Sequence, residues 1–223
     1  MIKTSDLIAS LAANAAPVRR LRPPVMRAAC WLVLAVTVLA LLAANQGIRP
    51  DLVQKLHQPA FAVSLAASAL TGVLGAVAAF LVSLPDRSRL WLFLPLPALV
   101  LWLSNIGYQC LTDWVSIGPD GMSFGEAAQC FATLVLTSLP LSLAMLVMLR
   151  YAAPLRPTAA TMMGSLAVAA ITATALSLFH VIDASVMILM WNLGTAIVFV
   201  GLAGAFGRRI FRWVAPRTLY PRD

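Results

Sequence analysis

Apolar residues gather in six long runs, near 28–44, 60–84, 90–107, 130–149, 159–179 and 184–206, separated by short polar or proline-bearing stretches. At about 1.5 Å of helical rise per residue, about 20 residues cross a hydrocarbon core, and each run is at or close to that length. The pattern predicts an all-α polytopic membrane bundle of six transmembrane helices over 28–206. An N-terminal segment, 1–27, and a basic tail, 207–223, flank it. A small-x-small cleavage site is poor after Leu42-Ala43-Ala44, so the first run is read as a retained span and not as a signal peptide. Pro95 and Pro97 predict a kink in the third run. Small residues recur at four-residue spacing as Ser64, Ser68, Gly72 and Ala76, as Ala169, Ala173 and Ser177, and as Gly201 and Ala205. Such rows predict close helix approach. Trp31, Trp91, Trp102, Trp191 and Trp213 fall mostly near expected interfaces, where indole rings sit. Asn192 is a strongly polar side chain in mid-run of the sixth span, read as an interhelical hydrogen-bonding group.

Composition strengthens this picture. The chain of 223 residues is 61% hydrophobic and 11% charged, with a mean hydropathy of +0.89. Soluble domains are closer to half apolar and a quarter charged. The net charge of +8 does not read as a nucleic-acid groove, because the basic residues cluster beside the apolar runs. Their order is alternating. Of the 16 lysines and arginines, all except Arg49 and Lys55 fall on one side when the six runs are threaded back and forth. By the positive-inside rule both termini are then cytoplasmic. Asp183 and His180 fall in the turn between the fifth and sixth runs, and no ionisable ladder crosses the runs, which argues against a small transporter or permease subunit, the alternative reading.

Two segments carry the remaining chemistry. In the first, Ser5 or Asp6 can cap a short helix with Leu7, Ile8 and Leu11 on one stripe, completed by Ala15. The stiff basic connector Val18 to Pro24 follows, with Arg19, Arg20 and Arg22. Arg27 joins these as a candidate anchor to anionic headgroups. The stripe fits either a membrane-surface helix or a helix seated in a partner's groove.

The second segment is the outer loop Gly107 to Cys130, GYQCLTDWVSIGPDGMSFGEAAQC, with Asp113, Asp120 and Glu126 and no basic residue. Met122, His57 and His180 complete the outer polar inventory. In an oxidising compartment Cys110 and Cys130 can form a structural disulfide if their helices touch. They can instead form a redox or metal-responsive pair, with Cys110, Cys130 and His180 as candidate ligands. A quinone-linked thiol oxidase needs a C-x-x-C and a second pair, and neither is present; no enzymatic activity and no cofactor is expected. Cys30 lies across the membrane and is read as a buried small hydrophobe.

The opening K-T-S-D-L-I-A-S-L-A (Lys3 to Ala12) with A-P-V-R-R-L-R-P-P (Ala16 to Pro24) resembles the N-terminal signature of the NrsF family. R-P-D-L (Arg49 to Leu52), P-D-R-S-R (Pro85 to Arg89), C-L-T-D-W with G-P-D-G (Cys110 to Gly121), A-P-L-R-P (Ala153 to Pro157) and G-R-R (Gly207 to Arg209) are similar to it in order and spacing. The resemblance implies a six-span protein of the bacterial inner membrane, a negative regulator that holds an extracytoplasmic-function sigma factor at its cytoplasmic face. It implies sensing by the outer cysteines, Cys110 and Cys130 here, of a heavy-metal or oxidative signal. The sigma contact would fall to Leu7, Ile8 and Leu11, assisted by Arg19, Arg20 and Arg22. No direct contact with nucleic acid is expected.

Overall fold

The computed structural model of the chain describes residues 4–13, 22–84, 86–113, 124–150 and 157–179. All regular structure among these residues is helical: α1 (Thr4–Ala13), α2 (Pro24–Gln46), α3 (Leu52–Leu56), α4 (Pro59–Val82), a 3-10 helix (Arg89–Phe93), α5 (Leu96–Asp113), α6 (Phe124–Arg150) and α7 (Pro157–Phe179). Five stretches are long and apolar enough to cross a membrane: Pro24–Gln46, Pro59–Val82, Arg89–Tyr108, Phe131–Arg150 and Pro157–Phe179. The sixth expected run, with Asn192, lies outside the described residues.

Proline starts α2, α4 and α7, where its missing N–H would have had no helical partner and its fixed φ suits the first turn. α2 stops at Gly47, whose φ of 78° few side-chain-bearing residues adopt and whose N–H returns to the Ala43 carbonyl. The third run is interrupted, not merely kinked. Its 3-10 turn begins with Ser88 Oγ accepting from the Leu90 N–H at 3.2 Å, and α5 starts only after Leu94 and Pro95. Pro140 stands inside α6, where it deletes one helical hydrogen bond.

Four helices close a ring: α2 packs on α4, α4 on α7, α7 on α6, and α6 back on α2, while α5 lies outside it against α4. The shared core holds Trp31 and Ala35 of α2, Ala76 and Phe80 of α4, Leu141 and Met145 of α6, and Ala167 and Ile171 of α7. A second cluster joins Trp102 and Ile106 of α5 to Ala67, Ala170 and Ala173. The α4–α7 pair is the closest-packed joint. A Cβ on Gly72 would stand 2.7 Å from Ile171 Cδ1, and one on Gly75 would stand 3.3 Å from the Ala167 backbone N. Ser68 Oγ and Thr174 Oγ1 hydrogen-bond across the same joint at 3.0 Å. The expected row on α4 therefore faces its partner through Ser68, Gly72 and Ala76. On α7 the opposing row runs through Ala167, Ile171 and Thr174, while Ala173 turns with Ala170 toward α5.

Three expectations need correction. Trp31 is not at the interface but fully buried, its indole N–H donating to the Leu141 carbonyl at 3.1 Å; Trp102 is buried as well. Cys30 is exposed, not buried, because Ala28, Trp31 and Ala35 define the inward stripe of α2 and position 30 falls on the outward face. Arg27 is not a headgroup anchor. It is 8% exposed and holds the bundle together from inside, as described next.

Candidate functional site

Adjacent helices of the ring run antiparallel, so the bundle has two ends of different chemistry. At one end stand the start of α2, the end of α4, the end of α6 and the start of α7, and with them Arg22, Arg27, Arg87, Arg89 and Arg150. At the other stand Arg49 and Lys55. The charge segregation read along the chain is thus a segregation in space among the described residues.

At the basic end Arg27 gathers three helices. Its Nη2 donates to the Met148 carbonyl of α6, and its guanidinium lies over the Phe80 ring of α4, 4.9 Å from the centroid. α6 ends at Arg150, so the Met148 carbonyl is one of the last four that a helix leaves without an internal partner. A cation there answers both the free carbonyl and the negative end of the helix dipole, and the aromatic face adds a cation–π contact. The guanidinium thus exchanges water for one carbonyl and one ring.

The opposite end has its own clasp, in the R-P-D-L stretch. Arg49 Nε and Nη2 donate to Asp51 Oδ1 and Oδ2 at 2.8 and 2.7 Å, a bidentate pair. The Arg49 side chain is 2% exposed and sits over the Phe61 ring of α4, 5.4 Å from the centroid. Its backbone N–H donates to the Leu178 carbonyl at the end of α7. The Arg49 guanidinium holds the Asp51 carboxyl below the usual carboxylate range, through the hydrogen bond first and charge attraction second. Nearby, Asn105 of α5 donates to the Ala60 carbonyl at 2.6 Å and Thr133 of α6 donates to Gln46 Oε1 of α2 at 2.9 Å. Arg49 was readable in the sequence only as an outer basic residue; its acidic partner two positions on was the available signal.

The N-terminal candidates sit on α1. Ile8 is 62% exposed, Thr4 and Asp6 are exposed, and α1 forms no packed joint with any other described element. Ser5 and Asp6 lie within its first turn, not at a cap, and an acidic group there suits the positive helix end. Leu7 and Leu11 belong to the helix, but their side chains lie outside the described residues, as do Ala15, Arg19 and Arg20. Arg22 is exposed.

The outer candidates fall at helix ends. Cys110 is in the last turn of α5 and Cys130 in the second turn of α6; their side chains lie outside the described residues, and so do Asp120, Met122 and His180. Along their described lengths α5 and α6 do not form a packed pair: α5 lies on α4, whereas α6 lies on α7 and α2. His57 is exposed just beyond α3. Among the described residues no group of three His, Cys, Asp or Glu side chains is placed to hold a metal ion.

A family model described as NrsF, negative regulator of sigma F, matches residues 11–213. No curated protein matches the chain, and no solved structure does.

Proposed function

Since the chain belongs to the NrsF family of negative regulators of sigma F, we propose that it retains an extracytoplasmic-function sigma factor at the cytoplasmic face of a bacterial inner membrane. The observation that carries this reading is α1. It is a helix with an exposed apolar residue, Ile8, that leans on nothing else described and enters the bundle at its basic end. A helix with an unpartnered apolar stripe fits a hydrophobic groove on another protein. Arg19, Arg20 and Arg22 behind it suit an acidic rim and add rate and specificity more than affinity. Both termini are cytoplasmic in this reading, with Arg49 and Lys55 outside.

The signal enters at the outer ends of α5 and α6 through Cys110 and Cys130, as a thiol–disulfide or metal-driven change. Those helices flank the ring on different sides, so tying or freeing their ends changes the load on the central α4–α7 pair. Release requires that the favoured packing differ between the sigma-bound and free states. The test is capture of the sigma factor by the full-length protein carrying Ile8→Asp or Leu11→Asp. Both variants insert normally, lose capture and leave sigma-dependent promoters constitutively on. Unchanged capture by both would refute the assignment.

A further inference from the structure

We propose that Arg27 is the positioning residue of the sigma-binding segment, coupling the direction and order of that segment to the packing of α6. The proposal rests on the N-terminal reading above and adds the point at which the bundle controls it.

Three observations meet at this side chain. First, Arg27 lies in the opening turn of α2, and its backbone N–H donates to the Pro23 carbonyl at 3.2 Å. Pro23 is extended, with φ −50° and ψ 142°, and Pro24 has a ring-locked φ. Little torsional freedom is left between Arg27 and the exposed Arg22, so the clasp fixes the direction in which the segment leaves the bundle. Second, the clasp is made by the cytoplasmic ends of two other helices, through the Met148 carbonyl and the Phe80 ring. Both belong to the ring: Phe80 is fully buried, and the next helical position after Met148, Leu149, is part of the shared core. Third, α6 runs unbroken in secondary structure from Phe124 to Arg150, with Cys130 near its outer end and Met148 near its inner one. One rod therefore connects the candidate input to the atom that Arg27 holds.

The side chain also has a second satisfied state. A long cationic side chain within a turn of the interface can extend to the headgroups and keep its charge solvated there. Inside the clasp the guanidinium is compensated by one carbonyl and one ring; in the headgroups it is compensated by phosphate and water. A shift of the α6 end relative to α2 removes the carbonyl and tips the balance outward. The first turn of α2 then loses its tether, and the segment is presented to sigma less ordered. The seam between α2 and α6 suits such a shift. Besides Arg27 it is held by two other side-chain hydrogen bonds, Trp31 to the Leu141 carbonyl and Thr133 to Gln46, whereas α4 and α7 are locked by glycine contacts.

The experiment measures the affinity of the purified sigma factor for the full-length protein in nanodiscs, on monodisperse fractions so that each value refers to folded protein. Arg27→Gln lowers the affinity about tenfold, the equivalent of re-ordering about one backbone residue on binding. Arg27→Lys, which keeps a donor and a charge for the carbonyl and the ring, restores affinity close to the parental value. Phe80→Leu, which removes the ring and keeps the core apolar, weakens binding in the same direction and serves where Arg27→Gln does not fold. Parental affinity in folded Arg27→Gln or Phe80→Leu, alongside lost capture in Leu11→Asp, would overturn the Arg27 assignment and leave the segment reading standing. No rescue by Arg27→Lys would also overturn it. Unchanged capture in Leu11→Asp would remove the segment reading and this proposal with it.

Discussion

The α4–α7 joint makes a quantitative prediction, because one substitution at two glycines should act in opposite directions. At Gly72 a new Cβ would lie 2.7 Å from Ile171 Cδ1, 2.8 Å from Ile171 Cγ1 and 3.3 Å from the Ile171 backbone N. Relaxed carbon contacts sit at about 3.5–4.0 Å. The Cδ1 atom can swing away by rotation about χ2. The Cγ1 atom moves only with χ1, which is stiff for a β-branched residue in a helix, and the backbone N moves only with α7. Overpacking of this kind costs about 1–3 kcal/mol, offset by about 1 kcal/mol from replacing a helical glycine by alanine. Gly107 in α5 has nothing within 4 Å of the same new atom, so Gly107→Ala keeps the gain alone. Thermal unfolding in detergent, followed by near-ultraviolet circular dichroism, should show Gly107→Ala raised and Gly72→Ala lowered relative to the parent. The two midpoints should differ by about 2–12 °C, taking about 2–4 °C per kcal/mol for a chain of this size. Ile171→Ala alone opens a cavity, but combined with Gly72→Ala the new methyl occupies part of it, so the double variant should be more stable than the sum of the singles. Equal shifts of the same sign at the two glycines, or strict additivity with Ile171→Ala, would refute the account of this joint.

The outer clasp predicts a pH effect. The Asp51 carboxyl is held below its ordinary range, so its contribution to stability is complete above the unfolded-state value of about 3.9 and is lost as pH falls through the lower folded-state value. Asp51→Asn should lower the thermal midpoint at neutral pH, because it strips the carboxylate from a buried guanidinium, and should flatten the decline below pH of about 4 seen in the parent; a parental midpoint and an unflattened acid limb would exclude that role for the pair. For sensing, Cys110→Ser and Cys130→Ser should each blunt induction of a sigma-dependent reporter by oxidant and by cadmium. Parental induction in both would make the cysteines structural or idle.

Much of the architecture was legible because a bilayer imposes a simple rule, long apolar runs bounded by proline, glycine and charge. What lies across a helix interface was not. In lipid the outward face of a helix is as apolar as the inward one, so periodicity cannot mark the core of α4 or α7 as it does in a soluble bundle. Trp31 and Arg27 show the consequence. Each has a composition-based reading, an interfacial indole and an anchoring cation, that depends only on distance from the run's end. Each in fact reaches a backbone carbonyl of α6 more than a hundred residues away in the chain, a partner without any side-chain signature. Arg49 illustrates the intermediate case. Its partner Asp51 is two residues on, so the pair was visible in the sequence, but its contact with the end of α7 was not. Cys110 and Cys130 were singled out by type and compartment, and the helices that carry them proved to lie against different neighbours.

The closure of the ring by α6 and α7 also sets a timetable for the protein's synthesis. α2 is the first long helix to enter the bilayer, yet two of the three ring helices it touches, α6 and α7, are the last described ones to be made. At about 5–20 residues per second, the roughly 130 residues between Gln46 and Phe179 take about 7–26 s to translate. Through that interval the Trp31 indole has no acceptor and the Arg27 guanidinium no carbonyl, and both must wait near the membrane surface. A nascent chain in this condition resembles a failed one, with polar groups unmet in lipid and a half-built core. Substitutions that weaken the α6–α7 joint should therefore deplete the protein through membrane quality control before any regulatory defect can be seen.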